Sequence, residues 1–468
     1  MLRYSNRARW VGVSAAVAFG LMVPSCASFK DQLLEPQNPG LVDEGAVSSP
    51  AAAAALKVGA IGRLKQLYTS SETLWQEGGH LADEYMNADF QNDRNDVDQR
   101  TMTPSNNYAN YTSLTPVRGF IRDAINAEKT YEPEKTADIG ELYLGLAFLE
   151  NNLAEDFCNG IPLGRNDKGV VDYGLPDFKP LTNAEVYNVA LAHIDSALAI
   201  IGSATDANSV FVRQASLITK ARILVNQNKQ AEAAALVPSS VVPTTYQYLF
   251  TTSAATNNED NGIWTLNNSV ARVTVGDSVV TYQGTKYTIG NAIPFASAND
   301  PRVPVVSGAS LKLPAEDGLT PLFVQQVYKG RDDPIAMVAG VDARLIEAEA
   351  KLKAQDIAGM MTILNALRAT PPRLGALQPA AMAALPTPAT QDAAVTLFFR
   401  EKAFWTFSRG QRVGDLRRLI RQYGRTQDKV WPIGQHYKGG TYGTDVNFPV
   451  PDQERVNPQF SGCIDRNA

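Results

Sequence analysis

Cysteine and histidine are scarce, with three of each in 468 residues. His80, His193 and His436 stand far apart, and none has a Cys or His partner at ligand spacing, so no zinc-type motif is present. Phosphate-binding loops and serine-nucleophile elbows are also missing. Glu155 and Asp156 are adjacent, whereas a glycosidase pair is defined by spacing across a cleft. No long run of one charge occurs, and the net charge of −5 lacks the basic footprint that a nucleic-acid partner requires. Long apolar runs are missing too. The N-terminal one, Trp10 to Val23, is shorter than the ~20 residues of a membrane span, and the later sequence is read as containing no span. The expectation is a binding protein, not an enzyme, with no cofactor.

That short apolar run follows Arg3, Arg7 and Arg9 and ends at Val23-Pro24-Ser25-Cys26. Basic flank, apolar core and small-residue exit make an export signal over residues 1–25. The ending resembles a bacterial lipobox, in which the cysteine thiol takes the lipid. Cys26 is then the lipidation site, and each buried methylene of the acyl chains contributes about 0.8 kcal/mol to anchoring. Residues 26–48 read as a tether arm and 49–468 as a single body. With Cys26 lipidated, Cys158 and Cys463 remain. In an exported protein they form either a disulfide or two separate buried thiols.

Helical periodicity dominates the body. Residues 51–68 place Leu56, Ala60, Leu64 and Leu67 on one stripe, with Pro50 in the first turn and Ser48 or Ser49 as the cap. "TADIGELYLGLAFLENNLAEDF" and "LTNAEVYNVALAHIDSALAII" repeat the pattern, the second behind a Thr182 or Asn183 cap; His193 falls within it as a structural residue. Two further units break into helix pairs at "NQNK" and "KAQD", and Gly410 and Gly414 suggest a bend in the last. The fold class is mainly α: an imperfect tetratricopeptide-like helical-repeat scaffold with long loop-rich insertions and a few short strands. An irregular helical bundle is the alternative.

The insertions are residues 78–112, polar, and 239–335, rich in Thr, Val, Asn, Gly and Pro. Segments this long inside a domain are usually functional. "SVARVTVGDSVVTYQGTKYTIG" alternates around a Gly-Asp turn and reads as a hairpin or loop, and Trp264 reads as a buried strand residue. Sugars present CH faces to aromatic rings and hydroxyls to amides and acids. Tyr108 and Tyr111 in "SNNYANYTS", with Tyr282 and Tyr287 in "TYQGTKY", have that mixture and are the ligand-binding candidates. The acidic stretch "DFQNDRNDVDQR" invites a calcium reading, but an EF-hand starting at Asp89 would need Gly and Glu where Arg94 and Arg100 stand, so a solvated cluster is the expectation.

Five motifs then occur in a familiar order: "LAEDFCNGIPL", "ASANDPRV", "VDARLIEAEAKLKAQDIAGMMTILNALRA", "REKAFWTFSRGQRVGDLRRL" and "FPVPDQERVNPQF". Behind a lipobox, this series resembles the RagB/SusD family of outer-membrane lipoproteins. Arg409 departs from the family's usual Glu before Gly410. Phe404, Trp405 and Phe407 read as core, and Arg344, Glu347 and Glu349 are expected to face Asp415, Arg417 and Arg418 across a helix pair. The proline-containing C-terminus reads as an extended segment packed on the surface, consistent with Cys463 reaching Cys158. The resemblance implies a lipid-anchored protein at the outer membrane, facing the exterior. Such a protein captures a glycan or related oligomer and delivers it to a SusC-like TonB-dependent transporter. A peptide-capturing member of the family and a helical-repeat interaction scaffold are the alternatives.

Overall fold

Ser49 and Pro50 begin the ordered body as their chemistry dictates. The Ser49 hydroxyl accepts the Ala52 amide, and Pro50 occupies the first turn of helix α1, Pro50–Thr69. The computed structural model describes residues 49–468 except 165, 168, 169 and 257. The expected signal, tether arm and Cys26 lie outside the described residues.

Helices follow at Leu74–Leu81 (α2), Asn92–Gln99 (α3), Tyr111–Tyr131 (α4), Thr136–Asp156 (α5), Asn183–Ile201 (α6), Ala207–Asn226 (α7) and Gln230–Leu236 (α8). The C-terminal half holds Gly340–Lys353 (α9), Ile357–Ala369 (α10), Gln391–Trp405 (α11) and Arg412–Tyr423 (α12). Their boundaries follow local signals. Thr182 and Glu185 close a reciprocal capping box on α6. The "NQNK" break carries a left-handed Asn228, and Asp356 caps α10 by accepting the Gly359 amide at 2.8 Å. The chain bends at Gly410, whose φ of +62° suits glycine, while Gly414 lies within α12. Successive helices pack as neighbours, α4 on α5, α5 on α6, α6 on α7, and α9 on both α8 and α10, which is the stacked-pair arrangement of a tetratricopeptide-like scaffold. Helix α6 is long and apolar enough by composition to cross a membrane, contrary to the sequence reading that no later stretch is; it packs between α5 and α7 as a core helix.

Short strands occupy the insertions: Tyr85–Asn87 (β1), Gln247–Phe250 (β2), Val273–Val275 (β3), Val279–Tyr282 (β4), Thr285–Thr288 (β5), Val305–Ser307 (β6), Phe323–Gln325 (β7) and Ile335–Ala339 (β8). Antiparallel pairs β1–β3, β2–β8, β4–β5 and β6–β7 form two-stranded ladders. The β1–β3 ladder matches Tyr85 with Val275 and so joins the two insertions. The β4–β5 hairpin turns at Gln283-Gly284, both with positive φ, whereas the sequence had placed a turn at Gly276-Asp277. Trp264 lies on a helical turn, half-buried, and not on a strand. The segment 78–112 is not all loop, because it contains β1 and α3.

An aromatic cluster fastens these strands to the helices. Tyr68 of α1 lies 4.8 Å from Trp75 of α2, 5.2 Å from Phe148 of α5 and 5.7 Å from Phe250 of β2, between ring centroids. Such pairs contribute roughly 0.5–1.5 kcal/mol each beyond their buried area. Phe404, Trp405 and Phe407 are buried in the same core.

Buried charges set the register of the C-terminal helices. The guanidinium of Arg418 pairs with Glu349 of α9 and, at 2.6 Å, with Asp415, which also accepts Lys402 at 2.6 Å. Arg417 instead donates to the Ala154 and Phe157 carbonyls at 3.2 and 3.1 Å, capping the C-terminal end of α5. Arg344 pairs with Glu347 on its own helix. Arg409, the departure noted in sequence, makes a bidentate pair with Asp342 at 3.0 and 2.6 Å. His193 binds Glu150 at 2.6 Å, as befits a structural residue. Arg302 of the Asp-Pro-Arg turn binds Asp300 and Glu401, with its guanidinium 5.1 and 5.2 Å from the Phe404 and Trp405 ring centroids.

Cys158 and Cys463 form a disulfide across 305 residues of sequence, with Cα atoms 6.0 Å apart. Backbone bonds flank it, from Cys158 to the Phe448 carbonyl at 2.9 Å and from Ile464 to that of Asn159 at 2.8 Å. The extended C-terminus is thereby bound to the end of α5.

Candidate functional site

Where α2, α3 and the start of α4 meet, a polar cleft of about 320 Å³ opens. Helix α2 supplies Glu77, the first turn of α3 supplies Asp93 and Arg94, and the turn before α4 supplies Asn107, Tyr108 and Asn110. Ser71, Glu72 and Gln91 complete the wall.

The turn at 108–110 is unusual in its backbone. Ala109 and Asn110 both have φ of 52°, a left-handed conformation that Asn tolerates and Ala resists. It is held by the Ala109 amide, which donates to Glu77 at 2.6 Å, and by Asn107, whose side chain bonds both the amide and hydroxyl of Thr112 at 3.1 and 2.9 Å. Residues held in such backbone regions are common at ligand sites.

Arg94 is anchored on two sides, by Asp89 and by Glu72 at 2.6 Å. Burial pushes the Glu77 carboxyl up to about 8, against the opposing hydrogen bond from Ala109. Glu77 is therefore largely protonated at neutral pH, and its hydroxyl can donate. Asp93 adds an acceptor, engaged at one oxygen by Asn106 at 2.9 Å. Gln91 brings an exposed side-chain amide to the cleft. Its chain neighbour Phe90 is 74% exposed. Phe90 does not line the cleft itself; it presents an open phenyl ring one residue before the lining Gln91.

The four tyrosines nominated from sequence divide into different settings. Tyr108 lines the cleft, with its hydroxyl 3.2 Å from Asn106 and 3.4 Å from Asp96. Tyr111 is enclosed at 1% exposure, its ring 5.1 Å from Phe157, and does not line the cleft. Tyr282 and Tyr287 are half-buried on the β4–β5 hairpin, packed on a cluster of Met86, Val280, Ile289 and Tyr437. Tyr437 connects that hairpin to the first insertion: its ring lies 5.7 Å from Tyr282, and its hydroxyl donates to Asp98 at 2.8 Å. The cleft that Tyr108 lines contains none of the other three. Phe90, Gln91 and Glu77 are candidates that the sequence did not single out; the available signal was a single aromatic inside a run of acids and amides. The acids of that run are engaged within the protein, Asp89 with Arg94 and Asp98 with Tyr437 and the Asn87 amide.

No protein-family model and no curated protein matches the sequence. Solved structures do match. A laminarin-binding SusD-like protein superposes with a TM-score of 0.60 at 14% identity, over 89% of this chain and 99% of its own. The chain has the SusD-like fold. A SusD superfamily protein from Bacteroides fragilis gives 0.58 at 13% identity, over 88% of this chain and 99% of its own. Another, from Bacteroides vulgatus, gives 0.57 at 14% identity, over 88% and 98%. Each of these matches covers 88–89% of the chain.

Proposed function

We propose that this chain is a SusD-like nutrient-capture lipoprotein that binds a neutral glycan or related oligomer at the cleft between α2, α3 and the 107–110 turn. A cleft lined by amides and acids, with the exposed Phe90 next in the chain to its lining residue Gln91, carries this reading. Phe90 supplies a face for the CH surface of a sugar ring, while Gln91, Asp93, Arg94 and Glu77 offer donors and acceptors to hydroxyls. Ligand sites characteristically combine an apolar platform with a few fixed polar groups. Glu72 and Asp93 outnumber Arg94, which disfavours an anionic ligand. The name of one structural relative, a laminarin-binding protein, supports a carbohydrate as the ligand class. Tyr108 forms part of the wall, while Tyr282 and Tyr287 stand outside the cleft on the β4–β5 hairpin. The role proposed for this cleft is binding.

In this reading, lipid on Cys26 anchors the body to the outer membrane, and the arm over 26–48 acts as a leash. The body presents its ligand to a TonB-dependent transporter. Affinity electrophoresis in gels containing neutral polysaccharides tests capture: migration should slow in at least one of them. Purification from native membranes tests delivery, since a barrel transporter should accompany the protein. A protein slowed by none of a broad polysaccharide panel, and recovered without a barrel, would overturn the proposal.

A further inference from the structure

A second cleft, of about 270 Å³, lies between α11, α12, the segment 291–293 and the turn at 427–430. Its floor is apolar, built by Ile293, Phe399, Leu416, Leu419 and Val430. Its charged lining is wholly cationic, Arg400, Arg412, Arg425 and Lys429, beside the neutral Asn291 and Thr396.

Most of those polar groups are already engaged. Arg412 makes a bidentate pair with Asp83 at 2.7 and 2.8 Å, and Asp83 also accepts the Ile293 amide at 2.9 Å. Arg425 binds Asp392 at 2.9 Å and Thr396 at 2.7 Å. The Asn291 amide donates to the carbonyls of Asp428 and Trp431 at 2.9 and 2.8 Å. Arg400 and Lys429 differ. Both are exposed, and among the described residues neither has an ion-pair partner. Asp428 precedes Lys429 in the chain but does not line the cleft. The Arg400 guanidinium sits 5.2 Å from the Phe404 ring centroid, which steadies it at the rim.

We propose that this cleft binds a small organic anion, a carboxylate head on an aromatic or aliphatic body. The two uncommitted rim groups are both cationic donors, so they call for an acceptor carrying negative charge. The apolar floor calls for a body without hydroxyls, which sets this ligand apart from the sugar assigned to the first cleft. The two clefts share no lining residue, and their charge is of opposite sign.

Calorimetry with 4-phenylbutyrate tests the proposal, using 4-phenylbutan-1-ol as the neutral counterpart of the same shape. The carboxylate should bind saturably at one site, more weakly as salt is raised, and roughly tenfold more tightly than the alcohol. The double variant Arg400→Gln, Lys429→Gln should lose roughly tenfold in affinity for the carboxylate. Its retardation by polysaccharide should stay unchanged, since both substitutions are at exposed positions outside the first cleft. No saturable binding, equal affinity for acid and alcohol, or full affinity in the double variant would each overturn it.

Discussion

The backbone amide of Ala109 donates a 2.6 Å hydrogen bond to the carboxyl group of Glu77, tying α2 to the left-handed turn that opens α4. The bond holds an alanine where alanine is disfavoured, so its loss acts on both fold and site. Glu77→Ala leaves the amide without its partner and is expected to destabilise the protein by about 1–3 kcal/mol. Glu77→Gln keeps an acceptor oxygen and should restore most of that loss. Urea unfolding of the two variants checks the difference; equal midpoints for Ala and Gln would show that the bond does not hold the turn.

The Cys158–Cys463 bridge closes a loop of 305 residues. Loop-closure entropy sets an upper figure of roughly 5–6 kcal/mol, and loss of a native disulfide more commonly costs about 2–5 kcal/mol. Cys158→Ser with Cys463→Ser is expected to lower the unfolding midpoint by an amount in that range. Non-reducing peptide mapping of the parent should recover the two cysteines in one linked fragment. Two alkylatable thiols in the unreduced native protein would contradict the bridge.

Glu84 gives a pH dependence whose sign is fixed. Its side chain is fully buried, with one oxygen accepting the Ser408 amide at 3.2 Å. Burial first, then the charge of Asp83, pushes its carboxyl from 4.5 to about 8. The folded chain therefore keeps a proton that the unfolded chain has lost between those values. Stability from this group is complete at the acidic end and falls as pH rises toward 8. Urea midpoints measured from pH 5 to about 8.5 should decline more steeply in the parent than in Glu84→Gln. Parallel profiles would rule out that assignment.

Much of the scaffold was legible in sequence, because helix stripes and caps are local. Leu56, Ala60, Leu64 and Leu67 predicted α1, and the Thr182 cap predicted the start of α6. The charged pairing of α9 with α12 was also legible, although only Glu349 reaches across, to Arg418, while Arg344 pairs with Glu347 on its own helix and donates to the Val237 carbonyl. The strands were harder. Ladders such as β1–β3 pair residues about 190 positions apart, which no local pattern encodes. The hairpin turn was misplaced because Gly-Asp and Gln-Gly are both good turn sequences, and only the register of Val279 with Thr288 decides between them. The site was partly legible. The sequence pointed to the polar stretch in which Tyr108 lines the candidate cleft, but exposure of Phe90 and enclosure of Tyr111 depend on tertiary packing. Aromatic residue type alone does not separate a platform from a core ring.

Glycan capture at the cleft that Gln91 and Tyr108 line is probed by Phe90→Ala. Phe90 is exposed, so its removal should change stability by no more than about 0.5 kcal/mol, checked by thermal unfolding. Calorimetry with the polysaccharide that retards the parent most strongly, cut to soluble oligosaccharides, is the measurement. Losing an aromatic stacking face should weaken binding by roughly 1–2 kcal/mol, which is about five- to thirtyfold in affinity. Oligosaccharide affinity equal to the parent's in the folded Phe90→Ala protein would contradict the account.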